Sequence, residues 1–170
     1  MADAARLADL PPCTRLILRG RPDAIAAATA PLGFALPQQP CRAAHAGERS
    51  ALWLGPDEWL ILAPASDPIA AALTLALHGH AHSLVDVSHR QCAIELTGSA
   101  ATETLNAGCP LDLEAAAFPI GMCTRTVLAK AEITLWRIDS GTFRLEVARS
   151  FTPYVRAFLL QAARDATDAV

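Results

Sequence analysis

The stretch of sequence that decides the fold is LVDVSHRQCAIELTGSAATETLNAGCPLDL, from Leu84 to Leu113. Its segment 91–97 alternates in polarity, with Cys92, Ile94 and Leu96 on one side, as a half-buried β-strand does. A glycine turn follows the strand, and a short helix is predicted over residues 100–106. The chain therefore enters as a strand, turns a polar corner, returns as a second strand and continues as a helix.

The same order of elements is predicted on both sides of this corner. Before it, strands are predicted at 14–19, 41–46, 50–54 and 58–63, with helices at 23–30 and 69–77. A further strand, predicted at 83–86, leads into the corner. After it, strands are predicted at 91–97, 123–129, 132–138 and 142–147, with helices at 100–106 and 152–164. Ser66, Ser99 and Ser150 are placed as helix N-caps, since a serine hydroxyl can accept a free backbone N–H. The predicted fold class is α+β, with two β-α-β-β-β-α units forming an internal pseudo-repeat of mainly antiparallel sheets and packed helices.

The length of 170 residues fits one domain, or two small halves that share a core. We expect residues 1–12 to form a flexible N-terminal arm and residues 166–170 a frayed tail. Between them, residues 13–165 are expected to form a single α+β domain with halves of about 13–82 and 83–165.

Composition excludes several classes of function. The net charge is −3 and the basic residues are scattered, which disfavours nucleic-acid binding. The longest apolar runs are far shorter than the ~20 residues of a membrane span, and the N-terminal sequence is not typical of a secretory signal. Five widely spaced cysteines without a CxxC motif indicate reduced thiols and a cytoplasmic location. A charged fraction of only 18% hints at surfaces that are buried against partners.

Three alternating histidines, His78, His80 and His82, form the most obvious candidate metal site. They fall at a predicted helix end and the turn after it, and the nearest carboxylate in sequence is Asp86. Because a cation at a helix C-terminus also suits the helix dipole, we favour a structural role for His78 and assign no metal ligand.

The corner Ser88-His89-Arg90 places a hydroxyl, an imidazole and a guanidinium side by side. Neighbouring residues seldom face one another as a catalytic triad requires, and no GxSxG motif is present. The strand-to-helix turn 96–99 lacks the glycines of a phosphate-binding loop. We therefore predict no catalytic residue. The candidates for an interface or a structural corner are Asp86, Ser88, His89, Arg90, Arg149 and Ser150.

Several segments together resemble the gamma subunit of heterotetrameric sarcosine oxidase, with matching order and spacing over about residues 14–160. They are LWLGPDEWLIL (52–62), SLVDVSHRQCAIELTG (83–98), CPLDL (109–113), FPIGMCTRTVLA (118–129) and FRLEVARSFTPYVRAFL (143–159). The resemblance implies a fold similar to the folate-binding region of aminomethyltransferases. It also implies a noncatalytic accessory subunit that assembles with the large, flavin-bearing chains of a bacterial oxidoreductase complex.

The resemblance further implies the chemistry of that complex, which oxidises sarcosine to glycine with release of hydrogen peroxide. Its one-carbon unit passes to tetrahydrofolate or leaves as formaldehyde. Flavins, NAD and zinc are implied for the partner subunits, and no cofactor for this chain. The alternative is a small folate-binding or aminomethyltransferase-like protein that acts alone, although the chain is about half as long as such enzymes. Self-association of the isolated chain and the N-methyl amine used by the complex stay open.

Overall fold

The computed structural model describes residues 5–168 and the side-chain burial of residues 5–166. In chain order the elements are β1 (Arg6–Asp9), β2 (Cys13–Gly20), α1 (Pro22–Leu32), β3 (Ala43–Ala46), β4 (Arg49–Gly55), β5 (Glu58–Pro64), α2 (Ile69–Ala76), β6 (His82–Asp86), β7 (Gln91–Thr97), α3 (Ala101–Asn106), β8 (Cys123–Leu128), β9 (Ala131–Asp139), β10 (Thr142–Ala148), a 3₁₀ turn (Arg149–Phe151) and α4 (Thr152–Asp168). Within the described residues, no helix is both long and apolar enough to cross a membrane. All five cysteines are free thiols.

The first compact unit, Pro12–His89, contains a five-stranded antiparallel sheet in the order β3-β4-β5-β2-β6. Alternation along β2 buries Leu16 and Leu18 in the core of this unit, as the sequence predicts. Helices α1 and α2 contribute Ala24, Ala28 and Leu73 to the same core. Small alanine side chains allow helices to pack closely, which explains how so alanine-rich a segment forms a dense interior.

The second compact unit combines Arg90–Val170 with Met1–Pro11, and its sheet has the order β1-β7-β10-β9-β8. Every pairing in this sheet is antiparallel. Its core takes Ile94 and Leu96 from β7 and Leu145 from β10, together with Val155 and Leu159 of α4. The helix-covered face of the sheet is therefore apolar, which follows from the alternation of β7 and β10.

The two sheets correspond strand by strand. Read in sequence order, β1-β2-α1-β3-β4-β5-α2 matches β6-β7-α3-β8-β9-β10-α4, and each sheet repeats the core order β3-β4-β5-β2 or β8-β9-β10-β7. The first strand of each repeat is exchanged, because β1 pairs with β7 and β6 pairs with β2. The predicted α+β class with a pseudo-repeat of antiparallel sheets is confirmed. Each repeat begins with a strand that the predicted β-α-β-β-β-α unit lacks; β6 corresponds to the strand predicted at 83–86, whereas β1 was not predicted.

The exchanged strands also change the predicted boundaries. Arg6–Asp9 is a strand on β7, in place of the expected loose arm, and Leu7 packs against the core of the second unit. The division between units falls after His89 rather than after residue 82, since β6 completes the first sheet. Helix α4 continues to Asp168, so residues 166–168 are helical. Residues 1–4 of the predicted arm and residues 169–170 of the predicted tail lie outside the described part of the chain.

The three serines predicted as N-caps do not occupy the cap positions. The N-cap of α2 is Pro68 and that of α3 is Ala100, and neither makes a side-chain cap bond. A backbone turn takes up the residues between strand and helix in both places, with bonds from Asp67 N–H to Pro64 O and from Ala101 N–H to Gly98 O. In the third case a 3₁₀ turn precedes α4 and contains the predicted cap, Ser150.

Candidate functional site

The corner after β6 is built by hydrogen bonds between Asp86, Ser88 and the backbone of Arg15. The Ser88 N–H donates to Asp86 Oδ1 at 2.8 Å. The Ser88 Oγ accepts the Arg15 N–H at 2.8 Å, and the Val87 N–H donates to the Arg15 carbonyl at 2.9 Å. These bonds close the end of the β2–β6 ladder where the chain leaves the first sheet. Ser88 thus links Asp86 to the backbone of β2.

The electrostatics of the corner follow from the same contacts. Hydrogen bonds from the Ser88 side chain and backbone hold the pKa of the Asp86 carboxyl below its ordinary value, and the nearby His89 acts in the same direction. The carboxylate is thus held in its charged form as a hydrogen-bond acceptor. An acceptor that is already engaged by its neighbours suits a structural role better than proton transfer.

The six candidate residues are divided between the two units. Asp86, Ser88 and His89 belong to the first unit, and Arg90, Arg149 and Ser150 belong to the second. In the second unit the Arg149 N–H donates to the Arg90 carbonyl at 2.9 Å, which brings two exposed arginines together at the ends of β7 and β10. Ser150 is exposed on the 3₁₀ turn that follows.

The three histidines make separate contacts. His80 Nδ1 lies 3.0 Å from Asp23 Oδ2, and this hydrogen bond lowers the pKa of the Asp23 carboxyl. His82 Nδ1 lies 2.8 Å from the His80 carbonyl, whereas His78 is exposed just after α2. Among the described residues, no three His, Cys, Asp or Glu side chains are grouped in a way that could hold a metal ion.

The turn after β7 is part of a close contact between two glycines. The Gly98 N–H donates to the Gly141 carbonyl at 3.0 Å, so this amide is already engaged within the fold. A Cβ at Gly141 would lie 3.0 Å from the Gly98 carbonyl oxygen, which explains the glycine there. The helix that follows, α3, has only six residues. The Gly98 amide, which could have bound an anion at this turn, therefore joins the end of β7 to the start of β10.

Sequence reasoning missed several buried polar side chains. Arg15 of β2 is only 2% exposed. Arg137 is 6% exposed and donates to the carbonyls of Leu113, Phe118 and Ser140 at 3.1, 2.9 and 2.6 Å. The first two bonds tie the loop between α3 and β8 to β9, and the third ties β9 to the turn before β10. No local signal distinguishes such an arginine from an exposed one, because its acceptors lie on distant segments.

The burial of polar residues on the other face of the second sheet, opposite its apolar core, was also not predicted from the sequence. Glu146 is 1% exposed, and Arg144 donates to its Oε1 through Nε at 2.8 Å and Nη2 at 2.7 Å. Thr134, the partner of Glu146 on β9, is 6% exposed. The alternation of β10 in the sequence does identify this set as one face, but gives no sign that the face is buried.

Comparison with known proteins gives concordant results. A sequence model of the sarcosine oxidase, gamma subunit family matches residues 19–165. The chain is 38% identical over 138 residues to the sarcosine oxidase subunit gamma of Arthrobacter sp., covering 81% of this chain and 68% of the relative. It is 34% identical over 164 residues to the corresponding subunit of Corynebacterium sp. strain P-1, covering 95% of this chain and 81% of the relative.

Solved structures place the same fold in two settings. A chain of the heterotetrameric sarcosine oxidase from Corynebacterium sp. U-96, in complex with pyrrole 2-carboxylate, superposes with a TM-score of 0.90 at 30% identity, over 95% of this chain and 85% of that one. Aminomethyltransferase T of the glycine cleavage system from Bartonella henselae matches with a TM-score of 0.69 at 15% identity, over 95% of this chain and 49% of that one, which shows likeness of fold alone. The chain belongs to the sarcosine oxidase gamma subunit family.

Proposed function

We propose that this chain is the noncatalytic gamma subunit of a heterotetrameric sarcosine oxidase, in which it assembles with the large and flavin-bearing chains. The observation that carries this proposal is the match over residues 19–165 to the gamma subunit family. A TM-score of 0.90 to a chain of a heterotetrameric sarcosine oxidase supports it, because that likeness extends over 95% of this chain.

The chemistry of the complex is assigned to the partner chains. In this proposal they hold the flavins, NAD and zinc, oxidise sarcosine to glycine, reduce oxygen to hydrogen peroxide and deliver the one-carbon unit to tetrahydrofolate or release it as formaldehyde. In this proposal the gamma chain has a structural role and provides a binding surface for the partner chains. Its cytoplasmic location follows in the proposal from that of the complex.

The corner residues support a structural role in this assembly. Asp86 and Ser88 direct their polar atoms at the backbone of their own unit, where they close the end of a sheet. In the second unit, Arg90 and Arg149 are exposed and adjacent through a backbone hydrogen bond. We assign Asp86 and Ser88 to fixing the conformation of the corner. We assign Arg90, Arg149 and Ser150 of the second unit to contact with another subunit, and we separately assign His89 of the first unit to such a contact.

A reconstitution experiment tests the proposal. The purified chain, free of partners, should be colourless and should not oxidise sarcosine or consume oxygen. Adding it to the separately purified flavin-bearing chains should yield one stable complex on gel filtration. Saturable binding of tetrahydrofolate by the isolated chain, with no association to the large chains, would instead support the stand-alone folate-binding alternative.

The contact role of the arginine pair has its own test. Charge reversal at Arg90 and Arg149 should weaken association with the large chains, because charged groups at an interface are matched by the partner. The same reversal at Arg164, an exposed residue of α4, is the control for the change in net charge. Equal retention of all variants on the tagged large chains would contradict the assigned contact.

A further inference from the structure

The sheet of the first unit ends in an open edge at β6. The strand order finishes there, and no described strand pairs with the outer side of β6. Four of its five residues are exposed, among them Val85, whose exposed fraction is 49%. An exposed edge strand presents unpaired backbone groups to which another strand can bind. The backbone direction and the composition of β6 decide which strand this edge can accept.

Strand register fixes which backbone groups of β6 face the open edge. The Val87 N–H donates to the Arg15 carbonyl at 2.9 Å, in register with the β2–β6 ladder, so the backbone of Val87 faces β2. Bonding alternates along an antiparallel ladder, so every second residue before Val87 also turns its backbone toward β2, and the residues between them turn theirs outward. The N–H and C=O groups that face the open edge are those of His82, Leu84 and Asp86.

A second copy of β6 matches these outward groups when the two strands run antiparallel and are centred on Leu84. Leu84 then lies opposite Leu84 of the other copy, and His82 lies opposite Asp86 at both ends of the junction. Each of these three pairs can exchange two backbone hydrogen bonds, which gives about six bonds across the junction. The register that uses every outward backbone group therefore also places a basic side chain opposite an acidic one.

The side chains at the two ends of β6 suit this contact. Directly opposed residues of antiparallel strands have Cβ atoms ~4.5–5.5 Å apart, which is within reach of a contact between histidine and a carboxylate. His82 is exposed, and its Nδ1 lies 2.8 Å from the His80 carbonyl, which leaves Nε2 for the other copy. Asp86 is exposed and accepts the Ser88 N–H through Oδ1. A carboxylate has about four acceptor positions, so Asp86 can accept from His82 as well.

The strand that holds the same place in the second sheet, β1, is less suited to such pairing. A symmetric junction of two β1 strands would place Arg6 opposite Asp9. However, Asp9 Oδ2 already accepts from Arg156 Nε of α4 at 3.2 Å. β1 also has only four residues, so it offers fewer outward backbone groups than β6. The charge pattern and the length both favour β6 as the edge that pairs with itself.

We propose that the free chain forms a symmetric dimer through its β6 edges, which joins two copies of the five-stranded first sheet into one continuous antiparallel sheet. The interface is isologous, because each copy contributes the same strand. An edge of five residues buries little surface, so we expect a weak association with a Kd on the order of 10–100 μM. The proposal concerns the chain without partner chains and is independent of the function proposed above.

Sedimentation equilibrium of the full chain, between about 5 and 500 μM, tests for the dimer across the expected Kd. The mean mass should rise from 17.9 kDa toward twice that value. Hydrogen exchange locates the junction. Exchange at the Leu84 amide should slow as the concentration rises, because its N–H gains an acceptor, whereas the Val85 amide already faces β2 and should not respond. A 17.9 kDa species at every concentration, or exchange at Leu84 that ignores dimerisation, would overturn the proposal.

Charge variants test the pairing of His82 with Asp86. His82→Asp places two carboxylates opposite each other at both ends, and Asp86→Lys places two basic groups there, so each variant alone should dimerise about tenfold more weakly or worse. Mixed in equal amounts, the two variants should form a heterodimer, because each then meets an opposite charge at both ends. His78→Asp is the control, since it makes the same charge change at an exposed residue outside β6.

Circular dichroism would establish that each variant is folded. If Asp86→Lys loses the corner and does not fold, the comparison of His82→Asp with His78→Asp still decides the matter. A dimer of unchanged affinity in His82→Asp, an equal loss in His78→Asp, or failure of two folded variants to form the heterodimer would each contradict the proposed junction.

Discussion

One guanidinium in the first unit joins three segments of the chain. Arg49, at the start of β4, donates to Asp67 through Nε at 2.7 Å and Nη2 at 2.9 Å. Its Nη1 donates to the Pro31 carbonyl at 2.6 Å, in the last turn of α1. Asp67 lies just before α2. Arg49 therefore links β4 to the C-terminal end of α1 and to the N-terminal end of α2. We predict that Asp67→Asn destabilises the first unit by about 2 kcal/mol.

The magnitude follows from the geometry. A hydrogen bond to a charged group contributes about 1.5–3 kcal/mol, and asparagine keeps only one oxygen acceptor. The side chains of Arg49 and Asp67 are 30% and 13% exposed, so solvent screening reduces the gain from the fully buried case. A loss of about 2 kcal/mol corresponds to a fall in Tm of about 4–8 °C for a chain of this size.

The assay is urea unfolding followed by circular dichroism and tryptophan fluorescence, with Asp57→Asn as the matched control. Asp57 forms the same type of pair with Arg19 in the same unit, but both side chains are more than half exposed. Such a surface pair is expected to contribute about 0–1 kcal/mol. Equal losses in the two variants, or a loss below about 0.5 kcal/mol in Asp67→Asn, would refute the reasoning.

The same variant predicts a dependence on pH. The hydrogen bonds from Arg49 lower the pKa of the Asp67 carboxyl below its ordinary value. A carboxyl with a lowered folded-state pKa stabilises the protein above its unfolded pKa of about 3.9, and this stability is lost as the pH falls through the folded value. The gap in unfolding free energy between wild type and Asp67→Asn should therefore be constant above about pH 5 and close in more acidic solution.

Three further substitutions have defined outcomes in the same urea assay. Arg137→Met leaves three backbone carbonyls without their donor and should cost about 2–4 kcal/mol, against no measurable change for the exposed Lys130→Met. Ser88→Ala should cost about 1 kcal/mol and speed hydrogen exchange at the Arg15 amide, whose acceptor it removes, so unchanged exchange would contradict the corner geometry. Gly108→Ala places a Cβ 2.5 Å from the Phe158 ring and should cost about 1–3 kcal/mol. If the variant unfolds with the same free energy as the wild type, the ring moves aside without cost and the prediction is wrong.

Local patterns in the sequence predict most of the elements. The alternation of β7 places Ile94 and Leu96 in the core, and Gly33, at φ 84°, ends α1 where a left-handed residue is needed. These features depend on side chains within one turn or one strand. Because the interactions that produce them are local, a single sequence suffices to infer them.

Pairing between distant segments accounts for what the sequence could not predict. The four residues of β1, RLAD, carry little apolar signal, and nothing in them favours β7 over the neighbouring β2. The polar positions Arg144 and Glu146 alternate as a solvent-facing set would, yet Glu146 is buried. Strand partners and buried ion pairs are set by tertiary contacts, which propensity and periodicity do not encode.

The residues of the candidate site show the same limit. The sequence groups Asp86 with Ser88 by proximity, and both do meet at the corner. It does not identify Arg15, which lies 73 residues before Ser88 in the chain. The Arg15 N–H donates to the Ser88 hydroxyl, and the Arg15 carbonyl accepts the Val87 N–H. Nor does it link Arg90 with Arg149, which adjoin only because β7 and β10 are neighbours in the sheet.

Native mass spectrometry of the assembled enzyme tests the central claim most directly. The large and flavin-bearing chains would be co-expressed with this chain, purified through a tag on a large chain, and weighed intact. Our account predicts a single complex that contains one copy of this 17.9 kDa chain and that oxidises sarcosine. Recovery of an active complex whose mass excludes this chain, with the chain found only as a free protein, would contradict the account.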